Sequence, residues 1–191
     1  MSKGRLEAFS DGVIAILITI MVLELRIPDG TNLAALGPLG PTFLAYVLSF
    51  ALLGTYWNNH HHLLQASIVV DGRVLWANLF LLFWLSLVPF ATAWMGSSVF
   101  APIPTAVYGV VSLMAAVTFY VLVRALVHAP GQSPTLAAAL GSDRKGRFSP
   151  VIYAIAIPVA LVAPAIAFGL YVVVVSLWVV PDLRIERTLR S

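Results

Sequence analysis

The chain has 191 residues, of which 60% are hydrophobic and only 10% charged, and its mean hydropathy is +0.95. A soluble domain has about 25% charged residues, so this composition excludes a soluble protein and indicates an all-α integral membrane protein. The absence of cysteine excludes disulfides and thiol chemistry. The net charge of +3 does not indicate a nucleic-acid partner, because the basic residues lie in short segments between apolar runs.

Six apolar runs follow one another along the chain, and about 20 apolar residues are enough to cross a bilayer. They predict six transmembrane helices in a single domain, residues 1–191, with spans at 6–26, 41–64, 73–95, 104–127, 149–163 and 164–181. Pro89 predicts a kink in the third span. The run from Phe148 to Val180 is too long for one span, and Ala163-Pro164 in its middle predicts two short helices. The alternative is one long kinked helix.

The basic residues predict the orientation of these spans. With the N-terminus in the cytoplasm, only Arg26 faces the other side, which is the positive-inside pattern of a multi-pass protein whose two termini are both cytoplasmic. The cytoplasmic basic residues would be Lys3, Arg5, Arg73, Arg124, Arg144, Lys145, Arg147, Arg184, Arg187 and Arg190.

The first span carries polar residues on one side and an apolar stripe on the other. Successive residues turn by about 100° around a helix, which places Ile16, Thr19, Ile20 and Leu23 on one face. Ser10 and Asp11 fall on the opposite face. The stripe either lines a central axis or packs against another helix or lipid. A charged side chain inside a membrane segment costs at least ~2.5 kcal/mol on insertion scales, so Asp11 needs polar partners.

Such partners are available at the same predicted depth. Trp57 and the histidines His60, His61 and His62 lie at the cytoplasmic end of the second span, and Asn78 lies at the start of the third. They predict a hydrogen-bonded clamp that holds the first helix against the second and third. A metal site made of the histidines and Asp11 is disfavoured, because consecutive histidines point about 100° apart and cannot all bind one ion. A proton relay through the same residues is a further alternative.

The segment Arg5-Leu-Glu-Ala-Phe-Ser-Asp-Gly12 resembles the Arg-x-x-x-Phe-Ser-Asp signature of the transmembrane protein 175 potassium channels. The similarity continues through Trp57 and His60-His61, through Leu75-Trp76-Ala-Asn78-Leu79 with Pro89-Phe90, and through the closing Trp178-Val-Val-Pro-Asp182.

The resemblance implies a passive, potassium-permeable channel in the bacterial plasma (inner) membrane, with one six-helix unit per chain and four chains around the pore. It implies that the first helix lines the pore, that a hydrophobic constriction begins at Ile16 and continues at Ile20 and Leu23, and that Thr19 contributes a hydroxyl. It implies no cofactor beyond the permeating K⁺ ions, and it identifies the lipid bilayer, monovalent cations and other copies of the chain as partners. The structural clamp would then comprise Arg5, Phe9, Ser10, Asp11, Trp57, His60, His61 and Asn78.

Three other functions compete with this prediction. The first is a proton channel or proton-coupled transporter that uses Asp11 and the His60–His62 cluster. The second is an intramembrane enzyme built on the same residues. It is disfavoured because neither His-Glu-x-x-His nor Gly-x-Ser-x-Gly occurs, so we expect neither catalysis nor a metal. The third is a structural membrane protein without a transport role.

Overall fold

The structure, a computed structural model, describes residues 2–132 and 144–179, and all the regular secondary structure in those ranges is helical. Arg184, Arg187, Arg190 and the last two residues of the predicted sixth span lie outside the described residues. The α-helices are α1 (Lys3–Leu23), α2 (Gly40–Gln65), α3 (Gly72–Ser86), α4 (Val88–Ser97), α5 (Pro102–Val127), α6 (Arg144–Val162) and α7 (Pro164–Val179).

Among the described residues, four helical segments are long and apolar enough to cross a membrane, namely Lys3–Leu23, Leu33–Gln65, Gly72–Ser97 and Pro102–Val127. Two shorter apolar helices follow, Phe148–Val162 and Pro164–Val179. The second segment starts earlier than the sequence predicts, because a 3-10 helix at Leu33–Leu39 leads into α2 where a loop is expected. The side chain of Asn32 caps this 3-10 helix by accepting a hydrogen bond from Ala35 N at 3.1 Å.

The third segment is interrupted at Leu87, which separates α3 from α4. The cause is Pro89, which has no N–H to donate and whose ring would collide with the carbonyl four residues earlier, that of Leu85. The Leu87 N–H bonds the Trp84 carbonyl at 3.2 Å instead, in a tighter turn than the α-helix has. The break therefore lies two residues before the proline that predicts it.

Helices α6 and α7 fold back on each other at Ala163. Trp178 Nε1 donates a hydrogen bond to Ser149 Oγ at 2.7 Å, and the rings of Tyr153 and Tyr171 lie 5.8 Å apart. These contacts join the start of α6 to the end of α7, so one long kinked helix is excluded. Pro164 begins α7 because the first position of a helix needs no N–H donor.

Side-chain contacts show that the start of α1, the end of α2 and the segment after α5 lie at the same end of the bundle. Lys3 Nζ donates to the carbonyls of Gln65 and Ser67 at 3.0 and 2.9 Å, so the start of α1 lies beside the end of α2. Ile68 N donates to Gln132 Oε1 at 2.7 Å, which brings the segment after α5 to the same end. Helix α1 packs against α2, α3 and α4, while α5, α6 and α7 pack beyond them. As a result α1 lies at the edge of the bundle.

Candidate functional site

Helix α1 has one buried face and one exposed face. Its buried residues recur every three or four positions at Leu6, Ser10, Ile14, Leu17 and Met21. Its exposed face includes Ile16, Ile20 and Leu23, whose exposed fractions are 57%, 41% and 79%. Exposure at these positions follows from the edge location of α1, because no other helix within residues 2–132 and 144–179 covers that side.

The exposed face of α1 contains an uncharged band, here called the outer stripe, that consists of Gly12, Ile16, Thr19, Ile20 and Leu23. Its one polar group is the Thr19 hydroxyl, which donates to the Ile16 carbonyl at 2.8 Å. Because that bond uses the hydroxyl proton, the oxygen presents only lone pairs to whatever lies outside the helix. A threonine in this state is suited to a cation and not to an anion.

Behind the outer stripe a chain of hydrogen bonds joins three helices. Asn78 Nδ2 donates to Ser10 Oγ at 2.9 Å, and Ser10 Oγ donates to the Leu6 carbonyl at 2.8 Å. Asn78 Oδ1 lies 2.7 Å from His60 Nε2. An amide oxygen can only accept, so His60 carries its proton on Nε2 and donates it. Ser10, His60 and Asn78 are all 0% exposed, so the chain holds α1 against α2 and α3 in the absence of water.

A second polar group, here called the acidic cluster, lies beside this chain and comprises Glu7, Asp11 and His61. His61 Nδ1 is 3.0 Å from Glu7 Oε1, and one ligand atom from each of the three residues lies within 4.8 Å of the others. Asp11 Oδ1 is buried without a hydrogen-bond partner. The ring of Trp57 stacks on His61 with centroids 6.0 Å apart and planes at 21°. The cluster connects α1 to α2.

The structure therefore corrects the single clamp that the sequence predicts. Asp11 forms no hydrogen bond with Ser10, His60 or Asn78 among the described residues. The reason is the turn of about 100° per residue, which aims Ser10 at α3 and Asp11 at α2. The same turn separates His60 from His61, and the rings of His61 and His62 meet in a T-shaped arrangement with centroids 5.8 Å apart.

Three further members of the predicted clamp lie at its margin. Phe9 and Trp57 are exposed, and only Trp57 of the two contacts the acidic cluster. Arg5 is also exposed and makes no hydrogen bond or ion pair within residues 2–132 and 144–179. Glu7, in contrast, is a member that the sequence prediction missed. It lies about 180° from Ile16 around α1. Calculating this angle for every polar residue of the helix would have identified Glu7.

A buried hydroxyl network lies deeper in the bundle and was also missed. Thr92 Oγ1 and Ser49 Oγ are hydrogen-bonded at 2.6 Å, and Ser49 Oγ is hydrogen-bonded to the Tyr108 hydroxyl at 3.1 Å. The Tyr171 hydroxyl donates to the Thr105 carbonyl at 3.1 Å and lies against Gly109, where any Cβ would overlap it. The network ties α2, α4, α5 and α7 together. Polar residues inside apolar runs are the sequence signal for such contacts.

Comparison with known proteins gives consistent matches. The family model of the endosomal/lysosomal potassium channel TMEM175 matches residues 5–89. A potassium channel of Chryseobacterium sp. strain P1-3 is 50% identical over 191 residues, which is 100% of both chains. The endosomal/lysosomal proton channel TMEM175 of Rattus norvegicus is 47% identical over 75 residues, covering 33% of this chain and 15% of that protein.

The fold also matches a solved structure. The crystal structure of a lysosomal potassium-selective channel TMEM175 homolog from Chamaesiphon minutus superimposes with a TM-score of 0.80 at 28% sequence identity. The match covers 93% of this chain and 96% of that one, so it extends over nearly the whole helical bundle.

Proposed function

Since this chain belongs to the TMEM175 family of potassium channels, we propose that four copies surround a central pore lined by the outer stripe of α1 and conduct K⁺ passively. The family is one of ion channels, so the alternative of an intramembrane enzyme is wrong. The proposal places the channel in the bacterial plasma membrane, with both termini in the cytoplasm and with no cofactor. The observation that carries it is the exposure of Ile16, Ile20 and Leu23 on a helix whose other face is packed.

The composition of the outer stripe supports a helix–helix interface more than contact with lipid. Gly12 and Thr19 are of the small type that lets membrane helices approach closely. A Cβ built on Gly12 meets no atom within 4 Å, so the space beside it is open to another chain. A second copy of α1 brought against this face would cover apolar surface that the single chain leaves uncovered. Repetition around a closed axis would cover the face in every copy.

The stripe also suits conduction. Side chains at Ile16, Ile20 and Leu23 of four copies would form stacked apolar rings, which gate by dewetting when narrow and pass ions when wider. No carboxylate lies on the stripe, which disfavours tight binding of divalent ions in the pore. Apolar rings repay little of the cost of removing water from an ion. That cost is greater for Na⁺ than for K⁺, so the rings favour K⁺.

Thr19 supplies the one oxygen on this path, which makes it the residue to test for selectivity. We expect Thr19→Val to retain conductance but to lower the K⁺/Na⁺ permeability ratio by about five-fold, the equivalent of one neutral polar contact of ~1 kcal/mol. Bilayer recordings under mixed K⁺ and Na⁺ conditions measure this ratio.

Thr118→Val is the matched control. Thr118 also donates to a carbonyl of its own helix, that of Met114 at 2.7 Å, but it lies buried in α5. Its replacement should leave the permeability ratio unchanged. Equal ratios in the Thr19 variant and in the wild type would remove Thr19 from the ion path.

Proton conduction is the second candidate, and the name of the mammalian relatives as proton channels favours it. The His60–Asn78–Ser10 chain is a poor proton wire, because the amide of Asn78 does not readily accept and release a proton and the chain ends on a backbone carbonyl. A proton path would therefore use Glu7, Asp11 and His61.

Reversal potentials of the reconstituted protein separate the two functions. Currents are recorded under a K⁺ gradient at equal pH, and then under a pH gradient at equal K⁺. A reversal potential that follows the K⁺ gradient supports the potassium channel. A reversal potential that follows only the pH gradient contradicts it in favour of proton conduction.

A further inference from the structure

The acidic cluster has the geometry of a metal site that joins two helices. Glu7 and Asp11 are four residues apart on α1, so their carboxylates lie one above the other on the same face. His61 reaches them from α2, with its Nδ1 3.0 Å from Glu7 Oε1. Trp57 stacks on the imidazole and limits its rotation. The arrangement differs from the disfavoured site of consecutive histidines, since it uses one imidazole and two carboxylates.

The contacts within the cluster do not satisfy its polar atoms. His61 Nδ1 lies 3.0 Å from Glu7 Oε1 without a hydrogen bond between them, so Nδ1 is buried without a hydrogen-bond partner, as is Asp11 Oδ1. Burying polar atoms without partners costs free energy, and two neighbouring carboxylates add repulsion. Nearby basic side chains do not relieve it within the described residues: Lys3 bonds the end of α2, and Arg5 faces outward.

A divalent transition metal would satisfy all three residues. Zinc binds imidazole nitrogen at about 2.0–2.1 Å and carboxylate oxygen at about 2.0–2.2 Å, which puts two ligand atoms of one tetrahedral ion about 3.3–3.4 Å apart. The 3.0 Å between His61 Nδ1 and Glu7 Oε1 is close to that value, and one ligand atom from each of the three residues lies within 4.8 Å of the others. A mixed nitrogen and oxygen set favours Zn²⁺ over Mn²⁺, and the imidazole disfavours Mg²⁺.

We propose that Glu7, Asp11 and His61 bind one divalent transition-metal ion, Zn²⁺ in preference to Mn²⁺, and that the ion fastens the cytoplasmic end of α1 to α2. All three side chains are half-buried, so water can complete the coordination and the ion can enter from the cytoplasmic side. The effect on conduction rests on the proposed function: an ion that fixes α1 opposes any rotation of the outer stripe and lowers the current.

The binding claim is tested on the full chain purified in lipid nanodiscs, first stripped of metal with a chelator. ZnCl₂ should bind with one ion per chain and raise the midpoint of thermal unfolding, because an ion that binds the folded state alone stabilises it. Glu7→Gln and His61→Gln should each weaken Zn²⁺ binding by roughly 100-fold, at least the effect of losing a residue that supports a metal ligand. Both substitutions leave a polar side chain of similar size at the position.

Two matched controls are available at positions outside the acidic cluster. Glu24→Gln removes a carboxylate from the other end of α1, and His62→Gln removes the next imidazole of α2. Both should bind Zn²⁺ as the wild type does. The metal-free unfolding transition shows whether each variant is folded, and the visible spectrum of added Co²⁺ reports coordination by nitrogen and oxygen independently of stability.

The proposal is overturned by a wild-type protein that binds no Zn²⁺ and leaves the Co²⁺ spectrum unchanged. It is also overturned by full Zn²⁺ binding in the folded His61→Gln variant, or by equal losses in the His62→Gln control. K⁺ flux through the metal-free protein is measured separately. Absent flux with intact Zn²⁺ binding would contradict the proposed function and leave the metal site standing, and the reverse result would contradict the metal site alone.

Discussion

Ile16→Asn should raise the potassium conductance of the reconstituted channel about tenfold, which corresponds to ~1.4 kcal/mol off the barrier to ion passage. The reason is that Ile16 is the first large apolar residue of the outer stripe, and an amide in its place supplies oxygen where the apolar ring supplies none. The same change should lower the preference for K⁺ over Na⁺, because a partly hydrated Na⁺ then crosses more easily. Single-channel recordings measure both effects.

A control and a second probe are available on the same helix. Val22 is also exposed on α1 but lies about 120° from Ile16 around the helix axis, so Val22→Asn should leave conductance unchanged. Since the chain contains no cysteine, Ile16→Cys introduces a single thiol. A charged thiol reagent should block the current through that variant and have no effect on the wild type. Unblocked current after complete labelling would show that residue 16 does not line the pore.

Asn78→Leu should lower the stability of the protein strongly. Asn78 is the middle member of the buried chain, so its loss leaves both Ser10 Oγ and the His60 Nε2–H without their partner. Each buried unsatisfied group costs about 1–3 kcal/mol, so the two groups together should lower the free energy of unfolding by about 2–6 kcal/mol. Thermal unfolding of the purified variant should shift to lower temperature, and the yield of assembled protein should fall.

Asn59→Leu provides the comparison, because in the described part of the chain Asn59 donates only to the Thr55 carbonyl of its own helix, at 2.7 Å. Replacing Asn59 removes this one bond within α2 and breaks no hydrogen bond between the described helices. We therefore expect a much smaller shift of the unfolding temperature than for Asn78→Leu. In a double-mutant cycle of the two residues, Ser10→Ala should lower the stability only slightly in a protein that already carries Asn78→Leu. Additive effects in that cycle, or an Asn78 variant as stable as the Asn59 variant, would show that the buried chain does not hold α1.

The two polar groups behind α1 should respond differently to metal. Asn78 acts within the uncharged chain, whose atoms are fully paired except for His60 Nδ1. Glu7 and Asp11 act within the acidic cluster, whose atoms are not. Substitutions in the hydrogen-bonded chain of Ser10, Asn78 and His60 should therefore reduce stability with or without metal. Substitutions in the acidic cluster should reduce stability mainly when Zn²⁺ is present.

The sequence by itself determined the class of the fold and the two faces of its first helix. Continuous apolar runs leave helices as the structure that satisfies the backbone in a bilayer, and Pro89 and Pro164 fix interruptions because proline has no N–H to donate. The turn of about 100° per residue separates Ser10 from Ile16 whatever surrounds α1, and the structure shows the first buried and the second exposed. Such properties are local, so the sequence reveals them.

Only the tertiary structure decided which polar groups meet. The side chain that His60 reaches depends on how α2 crosses α1 and α3, and that crossing is set by the packing of all their side chains together. Hence Asn78 pairs with His60 and not with Asp11, Glu7 joins His61, and Ser49 meets Thr92 and Tyr108 across three helices. Contacts between residues far apart in the chain have no local signal, because the sequence records which face of a helix is polar but not which neighbour covers it.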